Sequence, residues 1–301
     1  MTLPDFIICG AQKSGTTSLY SYVTMHPDVI RARAKEVHYF DINYNRGVEW
    51  YRKHFPNKSP GKVTGEASPD YMYIEWVPER IHELLPDVKL IFILRNPVSR
   101  AYSHYWHVRR RGYERLPFDR AIREERRRLD TDDVWKLIRY SYRDKGRYAV
   151  QLKRYRKYFS DEQMLVVLSE ELQINPGLVL KRIFEFLGVD PNVDVFKSSQ
   201  PPRKNVGRSP RYLTLSLLHG YLFDLGVKVS RAAPVLYYVR GVIRSFNFRE
   251  GYPPMDNETR EGLVDYFRPY NRRLKRYFPH ATMNEEGWFN PFSSAPHEPA
   301  D

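Results

Sequence analysis

Phe6-Ile7-Ile8-Cys9-Gly10-Ala11-Gln12-Lys13-Ser14-Gly15-Thr16-Thr17-Ser18-Leu19 is the stretch on which the reading of this chain turns. An apolar run reads as a buried strand, Gly10 to Gly15 as a tight turn carrying one lysine, and Thr16 onward as a helix opening on hydroxyl residues. Leu19, Tyr22 and Val23 continue at helical spacing. Such an order builds an anion cradle. A helix N-terminus presents unpaired N–H groups and a partial positive charge, and glycines let the main chain approach an oxyanion closely. Gln12, Lys13, Ser14, Gly15, Thr16, Thr17 and Ser18 are therefore the candidate anion-binding residues, with Lys13 adding a full charge. The pattern is not a Walker A loop. Gly10 and Gly15 have the right separation, but Thr16 follows the second glycine and the lysine sits inside the loop. The bland reading is an ordinary strand-to-helix turn with an exposed lysine.

A second segment has the same form. Val88 to Leu94 is an apolar strand apart from Lys89, and Arg95-Asn96-Pro97-Val98-Ser99-Arg100-Ala101-Tyr102-Ser103 follows directly, with Pro97 suited to the first turn of a helix. Arg95 at a strand's C-terminal edge and Ser103 eight residues on can both face a ligand at the crevice where parallel strands end. A guanidinium and a hydroxyl together suit a phosphate monoester. Taken singly, each is also an ordinary surface arginine and capping serine.

The chain as a whole agrees with an α/β domain. Its 301 residues, 42% hydrophobic and 15% aromatic, can bury a large core and exclude disorder. Strand candidates are Phe6 to Cys9, the stretch around Val63, Val88 to Leu94 and Met164 to Leu168. Between and after them lie helical patterns at Gly15 to Met25, Val77 to Leu85, Val98 to Arg110, Tyr148 to Phe159 and Val179 to Leu187. This alternation implies a P-loop-like parallel sheet flanked by helices, with right-handed crossovers. Residues 200–210 read as a loop, and Tyr212 to Val227 and Val235 to Phe246 as two further helices. The expected organisation is one domain over 1–301, with a core over about 1–210 and a helical C-terminal appendage over about 211–301.

Cysteine and charge narrow the class. Cys9 is the single cysteine, so no intrachain disulfide is possible and a zinc site of the cysteine type is excluded; the histidines show no clustered ligand spacing either. The anion loop begins within ten residues of Met1 and no run of eighteen apolar residues occurs, so the expectation is a soluble, cytoplasmic protein without signal peptide or anchor. Forty-nine basic against thirty-six acidic residues give a net charge of +13. From Arg109 to Arg128 nine arginines face four acids, and from Arg139 to Lys157 eight basic residues face Asp144 alone. These runs suit a polyanion or, equally, a solvated helix face. No DNA- or RNA-binding signature accompanies them, so no specific nucleic-acid partner is expected.

Taken together, the two segments resemble the sulfotransferases that use 3′-phosphoadenosine-5′-phosphosulfate. Gly10 to Ser18 matches that family's 5′-phosphosulfate loop and Arg95 to Ser103 its 3′-phosphate motif. The resemblance is closer to the carbohydrate branch typified by heparan sulfate sulfotransferases. Lys35-Glu36-Val37-His38-Tyr39-Phe40-Asp41 is similar to that branch's segment after the first helix, and Gly65-Glu66-Ala67-Ser68-Pro69-Asp70-Tyr71 to its segment carrying the catalytic glutamate. The match runs in order over roughly residues 5–210. One departure is Ala67, where many relatives place a lysine.

The resemblance implies sulfuryl transfer to a carbohydrate-type hydroxyl, less expectedly an amine, with adenosine 3′,5′-bisphosphate as product and no metal. It implies Glu66 as general base, Lys13 neutralising the leaving phosphate oxygen, and Lys35, Glu36 and His38 lining the acceptor cleft, His38 also assisting catalysis. Arg95 and Ser103 would hold the 3′-phosphate, and Lys204, Gly207 and Arg208 a basic loop closing over the nucleotide. Residues 43–62 and 109–133 are the segments expected to set acceptor specificity. Two other readings stay open on the residues alone: a P-loop-type nucleotide phosphotransferase, and a catalytically silent polyanion-binding protein on the same fold.

Overall fold

The computed structural model describes residues 2–197, 207–228, 233–279 and 282–291. Five strands, β1 (Phe6–Gly10), β2 (Val29–Arg31), β3 (Val63–Ala67), β4 (Lys89–Leu94) and β5 (Met164–Leu168), form one sheet in the order β2-β3-β1-β4-β5. Every pairing is parallel: Phe6 stands opposite both Gly65 and Lys89, and Leu90 opposite Met164. β1, β4 and β5 are apolar runs because helices cover both faces of the sheet, so neither face of a central strand meets water. All five residues of β1 are buried.

On one face, Leu19, Tyr20 and Val23 of the helix Thr16–Val23 and Val179, Ile183 and Phe184 of the helix Pro176–Leu187 pack on Phe6, Ile8, Ile91, Ile93 and Val167. On the other, the helix Tyr148–Tyr155 turns its buried stripe of Tyr148, Leu152 and Tyr155 inward, with the Tyr155 ring 4.9 Å from Phe92. The helix Pro176–Leu187 carries its own boundary signals. Asn175 Oδ1 accepts from the Leu178 N–H at 3.1 Å, Pro176 occupies the first turn, and the helix stops at Gly188.

The strand order positions the site. From β1 the chain runs outward to β2, returns through β3 to β1's side, then crosses to β4 on β1's other side. Consecutive connections therefore leave the C-terminal end of β1 in opposite directions, which opens a crevice there. The Gly10–Gly15 turn and Arg95 both stand at that edge.

Two compact units make up the chain: residues 1–97, 145–204 and 264–301 form one, and 98–144 with 205–263 the other. This differs from the expected break near residue 210. The first unit takes back a C-terminal segment in which Trp288 packs 6.1 Å from Tyr148 and the Phe278 and Phe289 rings lie 4.7 Å apart. The second unit contains most of the helix Pro97–Arg110, three short helices (Phe118–Arg123, Glu125–Arg128 and Val134–Tyr140), and a hairpin of the helices Leu213–Lys228 and Ala233–Asn247. Antiparallel strands β6 (Arg208–Pro210) and β7 (Phe248–Glu250) close the hairpin's base. Asn247 stitches that base, accepting from the Tyr212 N–H at 2.8 Å and donating to the Tyr212 carbonyl at 3.0 Å. No helix among the described residues is long and apolar enough to cross a membrane.

β2 and the helix Asn257–Arg272 have no counterpart among the sequence-based elements. β2 is three residues long, too short for any period to show. The Asn257–Arg272 helix contains Pro269 and many charges, which hide its apolar stripe of Leu263, Val264 and Phe267.

Candidate active site

The anion loop ends β1 and starts the helix Thr16–Val23. A Cβ on Gly10 would meet Met72 Cβ and the Pro69 carbonyl oxygen, each at 2.8 Å, so the turn needs glycine there. Gly15 caps the helix at φ +102°, a backbone state that glycine adopts without strain. The helix has no side-chain cap and no acidic residue in its first turn, which leaves its orphan N–H groups and positive end to a ligand. Lys13 adopts φ +71°, strained for a residue with a Cβ and a cost that structure elsewhere must offset. Ser14 is buried and its hydroxyl has no hydrogen-bond partner, while Gly15 is exposed. Thr16 is buried; Gln12, Thr17 and Ser18 are half-buried.

Arg95 reaches this loop from the end of β4, donating from Nη1 to the Lys13 carbonyl at 3.2 Å, and its own carbonyl accepts from the Tyr148 hydroxyl at 2.9 Å. Gln12 is clamped by two residues that sequence reasoning did not single out. Its amide nitrogen donates to Asp70 Oδ2 at 3.3 Å and its amide oxygen accepts from Lys145 Nζ at 3.2 Å, while Lys145 and Asp70 pair directly at 2.6 Å. Lys145 lies 133 residues from Gln12 along the chain, so no local pattern could have marked it.

Glu66 is the inner hub of the site. It is 0% exposed near the end of β3, and both carboxylate oxygens are taken. Oε1 accepts from the Tyr51 hydroxyl at 2.6 Å and the Tyr71 hydroxyl at 3.2 Å; Oε2 accepts from the Ser68 hydroxyl at 2.7 Å. Burial raises its pKa above the ordinary carboxylate value, against the pull of the Tyr51 and Ser68 hydrogen bonds. With their protons committed to Glu66, the hydroxyls of Ser68 and Tyr71 present lone pairs outward. Ser68 accepts from the His38 N–H at 3.2 Å, and Tyr71 from the Tyr39 N–H at 2.6 Å. Glu66 thus fixes the segment carrying Glu36 and His38.

That segment is itself strained. Glu36 and His38 adopt φ values of +61° and +53°, and the Glu36 N–H donates to the carbonyl of Ala67, the buried residue that replaces the family's lysine, at 3.2 Å. The Glu36 side chain is 43% exposed and pairs with Lys35 beside it. His38 Nδ1 lies 2.8 Å from Asp41 Oδ2. Burial disfavours its charged form, but the hydrogen bond and charge of Asp41, with Asp70 and Glu36 further off, outweigh this and push its pKa up to about 9.

The remaining expected residues divide as follows. Ser103 and Gly207 belong to the second unit, where both meet Tyr252: the Ser103 hydroxyl lies 3.1 Å from the Tyr252 hydroxyl, and a Cβ on Gly207 would come within 2.6 Å of the Tyr252 ring. Arg208 stands on β6, 4.0 Å from Glu250. Lys204 lies outside the described residues. Among those residues no group of three or more His, Cys, Asp or Glu is placed to hold a metal ion. Glu66, expected as the general base, thus lies buried near the end of β3 with Tyr51, Ser68 and Tyr71 donating to its carboxylate.

Comparison with known proteins gives one consistent answer. The profile of the sulfotransferase domain matches residues 3–203. The mouse bifunctional heparan sulfate N-deacetylase/N-sulfotransferase 4 is 31% identical over 290 residues, 91% of this chain and 30% of that protein. The mouse heparan sulfate glucosamine 3-O-sulfotransferase 6 is 37% identical over 186 residues, 62% of this chain and 52% of that protein. The chain therefore spans from 30% to about half of the length of these curated relatives. A crystal structure of a sulfotransferase from Alicyclobacillus acidocaldarius superposes with a TM-score of 0.65 at 27% identity, covering 92% of this chain and 96% of the other. The matched residues 3–203 include the anion loop, Arg95 and Glu66, and the chain belongs to the sulfotransferase domain family.

Proposed function

We propose that this chain moves a sulfuryl group from 3′-phosphoadenosine-5′-phosphosulfate to a hydroxyl of a carbohydrate-type acceptor. The observation that carries the reading is the anion loop: a buried Ser14 hydroxyl without a partner, in a turn leading to an uncapped, acid-free helix N-terminus, with Arg95 at its rim. Those groups fit the donor's 5′-phosphosulfate, and Gly15's exposure leaves the approach open. The relatives' names, which specify heparan sulfate sulfation, support a carbohydrate acceptor, and the +13 charge supports an anionic one. Arg95 and Ser103 are assigned to the 3′-phosphate by their motif, and Lys204, Gly207 and Arg208 to the nucleotide's outer side.

The donor supplies an activated sulfuryl group whose departure leaves negative charge on a phosphate oxygen. Lys13 and the loop N–H groups stabilise that charge as it grows, which is where such fixed donors accelerate most. The acceptor's proton goes to Glu66, the match to the family's base, whose pKa is held by burial above the ordinary carboxylate value. His38, with a pKa near 9 and oriented by Asp41, is protonated at neutral pH and serves as a fixed cation beside the transferring group, and Glu36 with Lys35 lines the acceptor cleft.

Calorimetry tests the cofactor half of this reading. Adenosine 3′,5′-bisphosphate should bind more tightly than ADP, and Arg95→Ala should remove most of that preference, a loss of about 1.5–3 kcal/mol for a charge-assisted contact. Equal affinity for the two nucleotides would overturn the assignment of a 3′-phosphate site. Transfer of labelled sulfate to desulfated polysaccharides tests the acceptor half.

A further inference from the structure

We infer that the second unit docks on an anionic lipid surface, through the exposed apolar face of its helical hairpin and the arginine-lined cleft beside it. The apolar face is regular. Val235, Tyr238, Val239, Val242 and Phe246 recur at steps of three, one, three and four along the helix Ala233–Asn247, one stripe of that helix, and all are exposed, Tyr238 at 75% and Phe246 at 62%. The partner helix adds exposed Leu218, Tyr221 and Phe223. Soluble surfaces scatter such residues singly; here they are gathered on one hairpin.

The cleft lies against the same hairpin. It encloses about 910 Å³ and is lined by Leu217, Gly220 and Tyr221 on one side and by five arginines with two glutamates on the other. Glu114 is engaged by Arg128 at 2.5 Å and Glu124 by Arg127 at 2.7 Å, while Arg115 and Arg120 have no ion pair among the described residues. Tyr221 belongs both to the exposed apolar face and to the cleft wall, so the two surfaces are continuous.

Charge decides the occupant. A second copy of a chain carrying +13 would bring arginine cluster against arginine cluster, an unfavourable pairing. A soluble polyanion would satisfy the arginines but leave the valine, tyrosine and phenylalanine stripe in water. An anionic bilayer satisfies both: headgroup phosphates meet the guanidinium groups while aromatic and aliphatic side chains enter the interfacial layer. This inference does not depend on the sulfuryl-transfer reading, and its test reads lipid binding alone.

The test is co-sedimentation of the whole chain with vesicles of phosphatidylcholine, and of phosphatidylcholine with about one third phosphatidylglycerol, at about 0.1 M salt. The anionic vesicles should bind at least about tenfold more protein, and raising the salt should reduce that advantage. Arg115→Glu with Arg120→Glu should abolish the anionic preference. Tyr238→Ser with Val242→Ser should weaken binding to anionic vesicles while leaving the melting curve and adenosine 3′,5′-bisphosphate binding unchanged. The inference is overturned if the two vesicle types bind equally, or if light scattering shows a dimer that the Tyr238→Ser, Val242→Ser protein loses. Retention of a soluble acidic polysaccharide without any vesicle binding would overturn it as well.

Discussion

Replacing Lys145 by methionine keeps most of the side-chain volume and removes the charge with its ammonium donors, so it breaks the ion pair beneath the anion loop together with the bond to Gln12. Lys145 and Asp70 are 3% and 6% exposed and 2.6 Å apart. Breaking such a pair from one side leaves a carboxylate in a site built for a cation, with the Gln12 amide still bound to it at 3.3 Å. The cost of an uncompensated buried charge is about 3–5 kcal/mol. For a chain of this size, that corresponds to a fall in melting temperature of about 5–8 °C. Asp70→Asn in the same protein should recover much of the loss, because the stranded charge is gone; a double-mutant cycle by denaturant unfolding gives the coupling directly. Since Gln12 also loses a partner, adenosine 3′,5′-bisphosphate should bind the Lys145→Met protein more weakly even below its melting range. A single variant that melts within about 2 °C of wild type would refute the reasoning, since it would mean the pair is solvated or compensated.

Glu66→Gln, which nearly keeps the side chain's size and removes the basic oxygen, should lower sulfuryl transfer by about 10²–10⁴-fold with nucleotide binding intact, whereas Glu66→Ala, which strands three buried hydroxyl donors, should also lose about 2–4 kcal/mol of stability; a fully active Glu66→Gln beside a dead His38→Ala would move the base to His38. His38 titrates at about 9 rather than 6.5, so its contribution is complete below about pH 6.5 and is lost as the pH rises through 9. The gap is worth about 3 kcal/mol, and a wild-type stability profile between pH 6 and 10 that matches that of His38→Gln would refute it. Lys13→Ala should reduce turnover more than it weakens product binding, because charge on the leaving oxygen grows toward the transition state; single-turnover kinetics beside product titrations separate the two.

Three of the five sheet strands are legible in the sequence because a buried parallel strand is a bare apolar run, and Phe6 to Gly10, Lys89 to Leu94 and Met164 to Leu168 are such runs; β3, Val63-Thr64-Gly65-Glu66-Ala67, shows only around Val63. The anion loop is legible for a different reason: its glycines, lysine and hydroxyls are contiguous. Arg95 joins it because a strand end fixes where the next side chain must be. The division into units is not legible, since it depends on where residues 98–144 and 264–291 pack, and packing partners far apart in sequence leave no local trace. Lys145 and Tyr51 escape for the same reason.

Glu66 shows where local reading stops being enough. A glutamate near the end of a strand beside the nucleotide crevice has the right chemistry for a base, and Ser68 and Tyr71, two of its three hydrogen-bond donors, lie within five residues of it. What the local sequence does not show is Tyr51 arriving from a short helix, Val48–Arg52, and the loop of Glu36 to Asp41 folding over Ser68 and Tyr71. The three hydrogen bonds to Glu66 stabilise its charged carboxylate, while burial favours the neutral form and raises the pKa, which makes it a readier proton acceptor. The same three bonds make it a good anchor, because each donor's orientation is set by a group that cannot move into water. The His38 backbone, at positive φ, and the Tyr39 backbone are held by hydroxyls that Glu66 orients, while the Glu36 N–H is held by the Ala67 carbonyl. The order at the buried acid and the backbone strain beside it are therefore parts of one arrangement, in which Glu66 fixes the segment that carries Glu36 and His38.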